Sequence, residues 1–281
     1  LAVLGCNHNY EVAPKSPLAL AAWGALAYWP IVYGVAAVWL LIGYFFNSSM
    51  IRAATGARAV ERTEQPKLYN LLENLCISRG VPMPELYIVD SEVMNAFAMG
   101  IDKRSFSITV TRGLLDKLDD AELEAVLAHE LTHIMNRDVR LLIITIVFTG
   151  MLSFIAQMLW RNLRYTSTRR SRDKGGNVMV LVIVAAIMLA IGYALALGLR
   201  FALSRRREFL ADAGSVELTK NPDALIQALN KISGNSRIAN VPPEVEQLFI
   251  DNPPSMFGLF DTHPPIEERI NVLRAIGGLP P

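Results

Sequence analysis

The segment His129-Glu-Leu-Thr-His133 most limits what this chain can fold into, because its two histidines lie four residues apart. On a helix, residues at this spacing share one face and lie about one turn apart. Their imidazoles can therefore bind the same metal ion, while Glu130 reaches a water molecule on that ion. The flanking sequence predicts a helix over residues 119–138. Zinc suits such a centre, because a catalytic zinc keeps three protein ligands and one open position.

A third ligand must come from a different helix, and the segment 204–213 offers one. Glu208 and Asp212 are four residues apart and so share a helical face. Glu208 fits the role of third ligand. Asp212 fits the role of a carboxylate that hydrogen-bonds a ligand imidazole and fixes its tautomer. A solvated charged stripe would show the same spacing, and the presence of HExxH in the same chain decides for the metal site.

Composition places the chain between soluble domains and membrane bundles. Of its 281 residues, 52% are hydrophobic and 19% are charged. The net charge is only +1 and the sequence contains no RNA- or DNA-binding motif, so no nucleic-acid partner is expected. No ATP-binding motif is present. Cys6 and Cys76 form neither a CxxC metal motif nor a disulfide framework, which suits a reducing compartment.

Three apolar stretches are long enough to be membrane segments. Residues 17–46 predict one tilted or kinked span, because they exceed the thickness of a bilayer core and contain Pro30. Residues 141–160 and 178–199 each predict a spanning helix, with a helix buried in a protein core as the alternative. Leu1–Cys6 is also apolar, and two interpretations are open, namely the tail of an earlier span or the end of a truncated lipoprotein signal.

Basic residues beside these stretches predict the orientation of the chain. Arg52, Arg58 and Arg62 follow the first stretch, whereas Lys15 alone precedes it, so the following domain is expected in the cytoplasm. The loop 161–177 is also strongly basic and would lie outside if both later stretches cross the bilayer. The sequence leaves open whether this pair crosses the bilayer or lies at its surface.

The rest of the chain predicts a split domain of helices with a small sheet. Helices are expected over residues 65–79 and 222–232 and after Pro264 and Pro265, and strands over 85–89 and 105–111, with room for another over 94–98. The expected organisation is an N-terminal membrane segment (1–50), a first part of the split domain with the HExxH helix (51–140), a hydrophobic pair (141–200) and a second part of the domain with the third ligand (201–281). Without residues 141–200 the two metal-bearing helices would be joined by a short loop.

Four segments together resemble the HtpX-type membrane zinc metalloproteases: HELTHIMNRD (129–138), SRRREFLADAG (204–214), NAFAMG (95–100) and THPPIEERI (262–270). These enzymes are gluzincins, related more distantly to the CAAX prenyl proteases. The resemblance implies an α+β fold, with a mainly helical gluzincin-type zinc peptidase domain, a small sheet, and transmembrane helices inserted before and within the domain. It implies that one zinc ion per chain is bound by His129, His133 and Glu208. Glu130 would be the catalytic base and Asp212 the partner of a ligand.

The resemblance also implies a function. The chain would be a membrane-anchored zinc endopeptidase in the bacterial inner (plasma) membrane, with a cytoplasmic active site. Its partners would be the lipid bilayer and protein substrates, namely misfolded or damaged membrane proteins cleaved in quality control and stress response. Two alternatives stay open. One is a dedicated maturation or CAAX-type membrane protease, and the other is a non-catalytic membrane chaperone or scaffold, against which the intact Glu130 and Glu208 argue.

The segment formed by Asn95, Ala96, Phe97 and Ala98 has two interpretations. As a strand at the edge of the sheet beside the zinc, it would pair with the main chain of an extended substrate. As a core strand, it would only bury Phe97. The resemblance favours the edge strand.

The segment Thr262–Arg269 predicts the start of a helix, because prolines suit the first turn and Glu267 and Glu268 suit its positive end. Locally, His263 would be no more than part of a cap. In the related prenyl proteases, however, a histidine of this HPP type and an arginine six residues later lie at the active site. By that resemblance, His263 donates a hydrogen bond to the oxyanion and Arg269 holds the substrate backbone.

Overall fold

The structure, a computed structural model, describes residues 17–166, 186, 190, 192–194, 205–236, 238, 241, 243–246, 248–251 and 264–278. The helices are α1 (Pro17–Thr55), α2 (Pro66–Arg79), α3 (Arg112–Lys117), α4 (Asp120–Met135), α5 (Asp138–Thr166), α6 (205–219), α7 (Pro222–Ile232), α8 (Pro243–Glu246) and α9 (Ile266–Gly277). The strands are β1 (Arg58–Ala59), β2 (Glu85–Val89), β3 (Ala96–Met99) and β4 (Ser107–Thr111). The expected mainly helical fold with a small sheet is confirmed. The predictions for Leu1–Cys6, for His263 and for most of 178–199 fall outside the described residues.

The four strands form one sheet in the order β1-β2-β4-β3. β2 and β4 are parallel, while β1 and β3 are antiparallel to their neighbours. β4 begins two residues later than predicted, because Ser105 belongs to a turn in which its amide donates to the side chain and the backbone oxygen of Asp102. β3, which carries most of the segment with two interpretations, lies at the edge of the sheet and is buried along its whole length.

The helix that carries the two histidines, α4, packs on this sheet and has a well-defined start. The Asp119 side chain accepts a hydrogen bond from the Glu122 amide at 2.9 Å, and the Glu122 carboxylate accepts one from the Asp119 amide at 2.9 Å. This reciprocal capping satisfies two amides that a helix start leaves without partners. Glu122 also pairs with Lys231 of α7 at 2.6 Å, so the start of α4 is tied to a neighbouring helix.

The end of α4 differs from the predicted helix over 119–138. α4 stops at Met135, Arg137 has a left-handed backbone conformation (φ 62), and α5 begins at Asp138. A residue other than glycine pays on the order of 1 kcal/mol for this conformation. The local sequence therefore gives no sign of the break, and the surrounding contacts must stabilise it.

α6 lies along α4 in the opposite direction. Three contacts join later residues of α6 to earlier residues of α4: Glu208 to His133, Asp212 to His129, and Ser215 to the backbone oxygen of Ala125. Because the sequence number rises on one helix as it falls on the other, the two helices are antiparallel. The helix faces that carry the two predicted metal motifs therefore pack against each other.

Gly214 lies where α6 approaches α4 closely. A Cβ atom at this position would overlap the side chain of Thr132, with the Thr132 hydroxyl oxygen 2.7 Å away. Thr132 cannot move aside freely, because it is β-branched and its hydroxyl donates to the backbone oxygen of Ala128 at 2.8 Å. The spacing of the two helices thus depends on the missing side chain of Gly214.

α1 and α5 also pack against each other. Gly43 lies against Val147, and the Trp39 indole nitrogen donates to the backbone oxygen of Val147 at 3.3 Å. Among the residues described, no helix is both long enough and apolar enough to cross a membrane. The membrane segments expected from the sequence therefore stay predictions.

We expect Gly214→Ala to lower the free energy of unfolding by about 1–3 kcal/mol, the usual cost of overpacking. Helix propensity alone predicts the opposite sign, because alanine is better than glycine in a helix by about 0.8–1.0 kcal/mol. Thermal and denaturant unfolding measure the change. Gly150→Ala is the matched control, since a Cβ there meets nothing within 4 Å. The double variant with Thr132→Ser should recover part of the loss, and an undiminished stability of Gly214→Ala would contradict the close approach.

Candidate metal centre

The side chains of His129, His133 and Glu208 converge between α4 and α6, with candidate ligand atoms within 4.8 Å of one another. The two Nε2 atoms are 3.2 Å apart. The Glu208 carboxylate oxygens lie 3.7 Å from His129 Nε2 and 3.4 Å from His133 Nε2. Ligand atoms about 2.0–2.1 Å from a tetrahedral zinc stand about 3.3–3.4 Å apart. The three side chains therefore fit a zinc ion.

The donor atoms themselves favour a cation at this point. Two ring nitrogens that face each other at 3.2 Å can share at most one proton, and a carboxylate lies beside both. Burial adds to the cost of leaving such groups uncompensated, because His129 and Glu208 are buried and His133 is mostly so. A metal ion would compensate all three at once.

The His129 imidazole is oriented by Asp212. Its Nδ1 lies 3.0 Å from the Asp212 carboxylate, which leaves Nε2 as the acceptor that faces the candidate metal position. Burial lowers the pKa of His129 to about 4, so the ring is neutral as a metal ligand must be. Burial raises the pKa of Asp212, but the charge of Arg269 and the contact with His129 hold it below its usual value.

Arg269 lies behind this pair and is only 1% exposed. Its Nε and Nη2 atoms donate to the two Asp212 oxygens at 2.9 and 2.7 Å, and its Nη1 donates to the backbone oxygen of Ile250 at 2.9 Å. Nη1 also lies 3.5 Å from the Glu208 carboxylate. The sequence predicted that Arg269 holds the substrate backbone. In the structure, each of its guanidinium nitrogens faces an acceptor inside the protein.

His133 has a carboxylate partner that the sequence analysis missed. Its Nδ1 lies 3.4 Å from Asp138, the first residue of α5. In the single helix predicted over 119–138, a residue five positions further on would point well away from His133, so only the break at Arg137 reveals the contact. Burial lowers the pKa of His133, but Asp138 and Glu208 raise it to about 10. A bound metal would therefore take the place of a proton on this ring.

Glu130 is buried beside the three candidate ligands. Burial raises the pKa of its carboxyl group to about 7, and the nearby Glu208 carboxylate acts in the same direction. His133 and a hydrogen bond from the Ala98 amide act against this rise. A carboxyl group with a pKa near neutrality can both accept and release a proton. A cation bound by the neighbouring ligands would lower this pKa.

The segment predicted to bind substrate, residues 95–98, lies next to Glu130, and its residues make different kinds of contact. The Asn95 amide is fully buried, donating to the backbone oxygens of Ser236 and Asp251 and accepting from the amides of Ala96 and Ile250. It therefore joins the start of β3 to the segment 236–251.

The remaining three residues belong to the edge strand itself. Phe97 is buried against Phe249, with ring centroids 5.1 Å apart. The Ala96 oxygen accepts from the Ile250 amide at 2.9 Å, and the Ala98 amide faces Glu130. Both interpretations of the segment thus apply in part, since the strand lies at the edge and also buries Phe97. Pairing with substrate stays a prediction.

The chain is similar to known proteins over most of its length. A family described as Peptidase family M48 matches residues 62–277. A "Protease HtpX homolog" of Bacteroides fragilis (strain YCH46) is 51% identical over 254 residues, which cover 87% of this chain and 79% of the relative. Another of the same description, from Listeria monocytogenes serotype 4a (strain HCC23), is 41% identical over 253 residues, covering 85% of this chain and 83% of the relative.

A solved structure is similar in fold. The crystal structure of S. mikatae Ste24p superposes with a TM-score of 0.55 at 21% sequence identity. The similarity covers 92% of this chain but 62% of that protein, so this chain spans less than two thirds of its length. The likeness concerns the fold.

We expect Arg269→Met to lower the free energy of unfolding by about 3–5 kcal/mol, because Asp212 would be left as a buried charge without its partner. Denaturant unfolding of metal-free protein measures the loss. Arg274→Met, a partly exposed arginine on the same helix, is the control. In a double-mutant cycle with Asp212→Asn, the two losses should be far from additive. Additive losses would contradict the pairing.

Proposed function

The chain belongs to peptidase family M48 and is a metallopeptidase, and from this premise we propose that it is a membrane-anchored zinc endopeptidase. One observation carries the proposal, namely that two histidines and a glutamate from two helices converge at a spacing that fits zinc, with Glu130 buried beside them. His129, His133 and Glu208 would hold the ion, and Asp212 would fix the orientation of His129.

The chemistry divides between the ion and the protein. Zinc, when bound, lowers the pKa of a water molecule to about 7 and polarises a carbonyl group. Glu130 accepts a proton from the attacking water, and the new carbon–oxygen bond forms as the peptide carbon becomes tetrahedral. Glu130 then returns the proton to the leaving nitrogen as the carbon–nitrogen bond breaks. We propose that His263 donates to the oxyanion, while the buried contacts of Arg269 support a role behind the ligands.

Substrate recognition would use the edge of the sheet. We propose that the extended substrate pairs with β3 through main-chain hydrogen bonds, which suits a broad endopeptidase. The Ala96 oxygen accepts from the Ile250 amide, and the Ala98 amide donates to Glu130, so the Ala98 end of the strand lies beside the proposed base. The substrate would therefore join at the Ala98 end of the strand, with its scissile bond close to Glu130.

The membrane setting rests on α1 and α5. Large apolar side chains are exposed on both helices, among them Val35, Val38, Leu41, Phe45 and Phe46 on α1 and Leu141, Ile144 and Phe148 on α5. Exposed apolar surface of this extent is typical of a surface that contacts lipid or protein. Only two residues separate the end of the metal-binding helix from the start of α5. We therefore propose that the active site lies at the cytoplasmic surface of the bacterial inner membrane and cleaves misfolded or damaged membrane proteins in quality control.

We expect Glu130→Gln to retain zinc and to lose nearly all cleavage of an unfolded membrane protein, because the amide keeps the shape but cannot accept a proton. Glu124→Gln, on the same helix and less buried, should cleave normally. Glu208→Ala should lose metal affinity, because it removes a ligand. Zinc content and chelator-sensitive cleavage are measured together. Equal zinc occupancy in Glu208→Ala and wild type would contradict the third ligand.

The rival functions are separated when aggregation of the unfolded membrane proteins is followed beside their cleavage. A non-catalytic chaperone or scaffold would protect unfolded membrane proteins from aggregation equally well with Glu130→Gln and in the presence of a chelator. A dedicated maturation protease would leave a panel of unfolded membrane proteins intact. Either result would contradict a broad endopeptidase of quality control.

The membrane setting is tested by protection of single cysteines. In a background that lacks both native cysteines (Cys6→Ser and Cys76→Ala), Phe45→Cys on α1 and Ile77→Cys on α2 replace side chains that are each 71% exposed. We expect a water-soluble maleimide to label Ile77→Cys in membranes and to label Phe45→Cys only after the bilayer is replaced by denaturant. Equal labelling of both in intact membranes would contradict a lipid contact of α1.

A further inference from the structure

The second ligand histidine has a supporting pair of its own. The Nδ1 atom of His133 lies 3.4 Å from the Asp138 carboxylate. The other Asp138 oxygen lies 3.5 Å from Nε of Arg207, and Nη1 of Arg207 donates to the backbone oxygen of Asp138 at 3.5 Å. A carboxylate thus lies behind His133, and an arginine lies behind that carboxylate.

We propose that Asp138 is a positioning residue for His133, and that Arg207 holds Asp138 in place. The inference rests on the proposed role of His133 as a metal ligand. An acceptor at Nδ1 keeps the proton on that nitrogen, so Nε2 stays available to the metal, and it fixes the rotation of the ring. Asp138 would touch neither substrate nor the reacting atoms.

The arrangement repeats, in a more exposed form, the one behind His129. There the sequence of groups is His129, Asp212 and Arg269, with the arginine bound to both oxygens of the carboxylate. Asp212 has a side chain that is 0% exposed, whereas Asp138 is 17% exposed. Removing Asp212 would leave a buried arginine without its partner, while removing Asp138 leaves groups that water can reach. Loss of Asp138 should therefore weaken metal binding with little loss of stability.

The local chain geometry explains how both members of the pair reach His133. The left-handed conformation of Arg137 ends α4 and starts α5, so that the first residue of α5 lies beside the last turn of α4. Arg207 immediately precedes the candidate ligand Glu208 on α6. Two adjacent residues of α6 thus have different roles: Glu208 is a candidate metal ligand, and Arg207 contacts the Asp138 carboxylate beside His133.

A simpler role for Asp138 is a favourable charge at the positive start of α5. Such a charge contributes to helix stability and does not depend on His133. Asp120 offers a matched comparison, because it occupies the first position of α4, is largely exposed, and pairs with Lys67 instead of a histidine. A helix-start role predicts equal effects of Asp138→Ala and Asp120→Ala on stability and none on metal binding.

The test is the zinc dissociation constant of the purified 281-residue chain, measured by competition with a chromophoric chelator, together with the melting temperature of the metal-free protein. We expect Asp138→Ala to weaken zinc binding by about tenfold to a hundredfold, the usual cost of losing such a partner. Its metal-free melting temperature should match that of Asp120→Ala. Asp138→Asn, which keeps an oxygen acceptor, should lie in between. Arg207→Gln should weaken binding less than Asp138→Ala, and its exposed neighbour Arg206→Gln should not weaken it.

A spectroscopic measurement keeps the proposal testable if a variant is less stable. Cobalt(II) in place of zinc reports ligand geometry through its visible absorption, and this spectrum should change in Asp138→Asn and remain unchanged in Asp120→Ala. Unchanged zinc affinity and cobalt spectrum in both Asp138 variants would overturn the proposal while leaving the proposed function intact. A wild-type chain that binds neither metal would overturn both.

Discussion

The antiparallel contact between α4 and α6 determines where the three candidate ligands and Asp212 lie. Along one face, α6 presents Glu208, Asp212 and Ser215 at intervals of about one turn, and each meets a residue of α4. Gly214 lets the helices approach closely enough for these contacts. A change in helix spacing would therefore affect the third ligand, the carboxylate behind His129 and the hydroxyl contact together, so the geometry of the centre follows from helix packing.

Three buried carboxyl groups, those of Asp212, Glu208 and Glu130, lie beside this contact together with one buried arginine, Arg269. Behind His129, Arg269 donates to both oxygens of Asp212 and also lies 3.5 Å from the Glu208 carboxylate. Glu208 and Glu130 remain as two further carboxyl groups in the same buried region. A divalent ion would balance them, and its binding free energy would then add to the stability of the folded state. Metal binding and helix packing are thus linked, because each makes the free energy of the other more favourable.

The sequence could predict the parts of the site whose geometry is local. The spacing of His129 and His133, and that of Glu208 and Asp212, fixes each pair on a helical face wherever the helix lies. The sequence could not predict that Arg269 is the partner of Asp212. Arg269 lies on a helix far away in the sequence, and the start of that helix has the residues of an ordinary capped helix at the surface. Asp138 was missed for a different reason, since the left-handed residue before it is an arginine and not a glycine. The residues at which the strands begin and end likewise depend on turn contacts such as those of Ser105.

The direction of α6 relative to α4 has a consequence for how such a chain can vary. Antiparallel neighbours are joined from the end of one helix to the adjacent start of the other, so the connection leaves and returns at the same end of the pair. Its length then has no effect on the ligand positions, provided that both ends stay anchored. Relatives could lengthen, shorten or exchange the stretch between residues 138 and 205, and so acquire different surroundings, while the same hydrolytic centre is inherited unchanged.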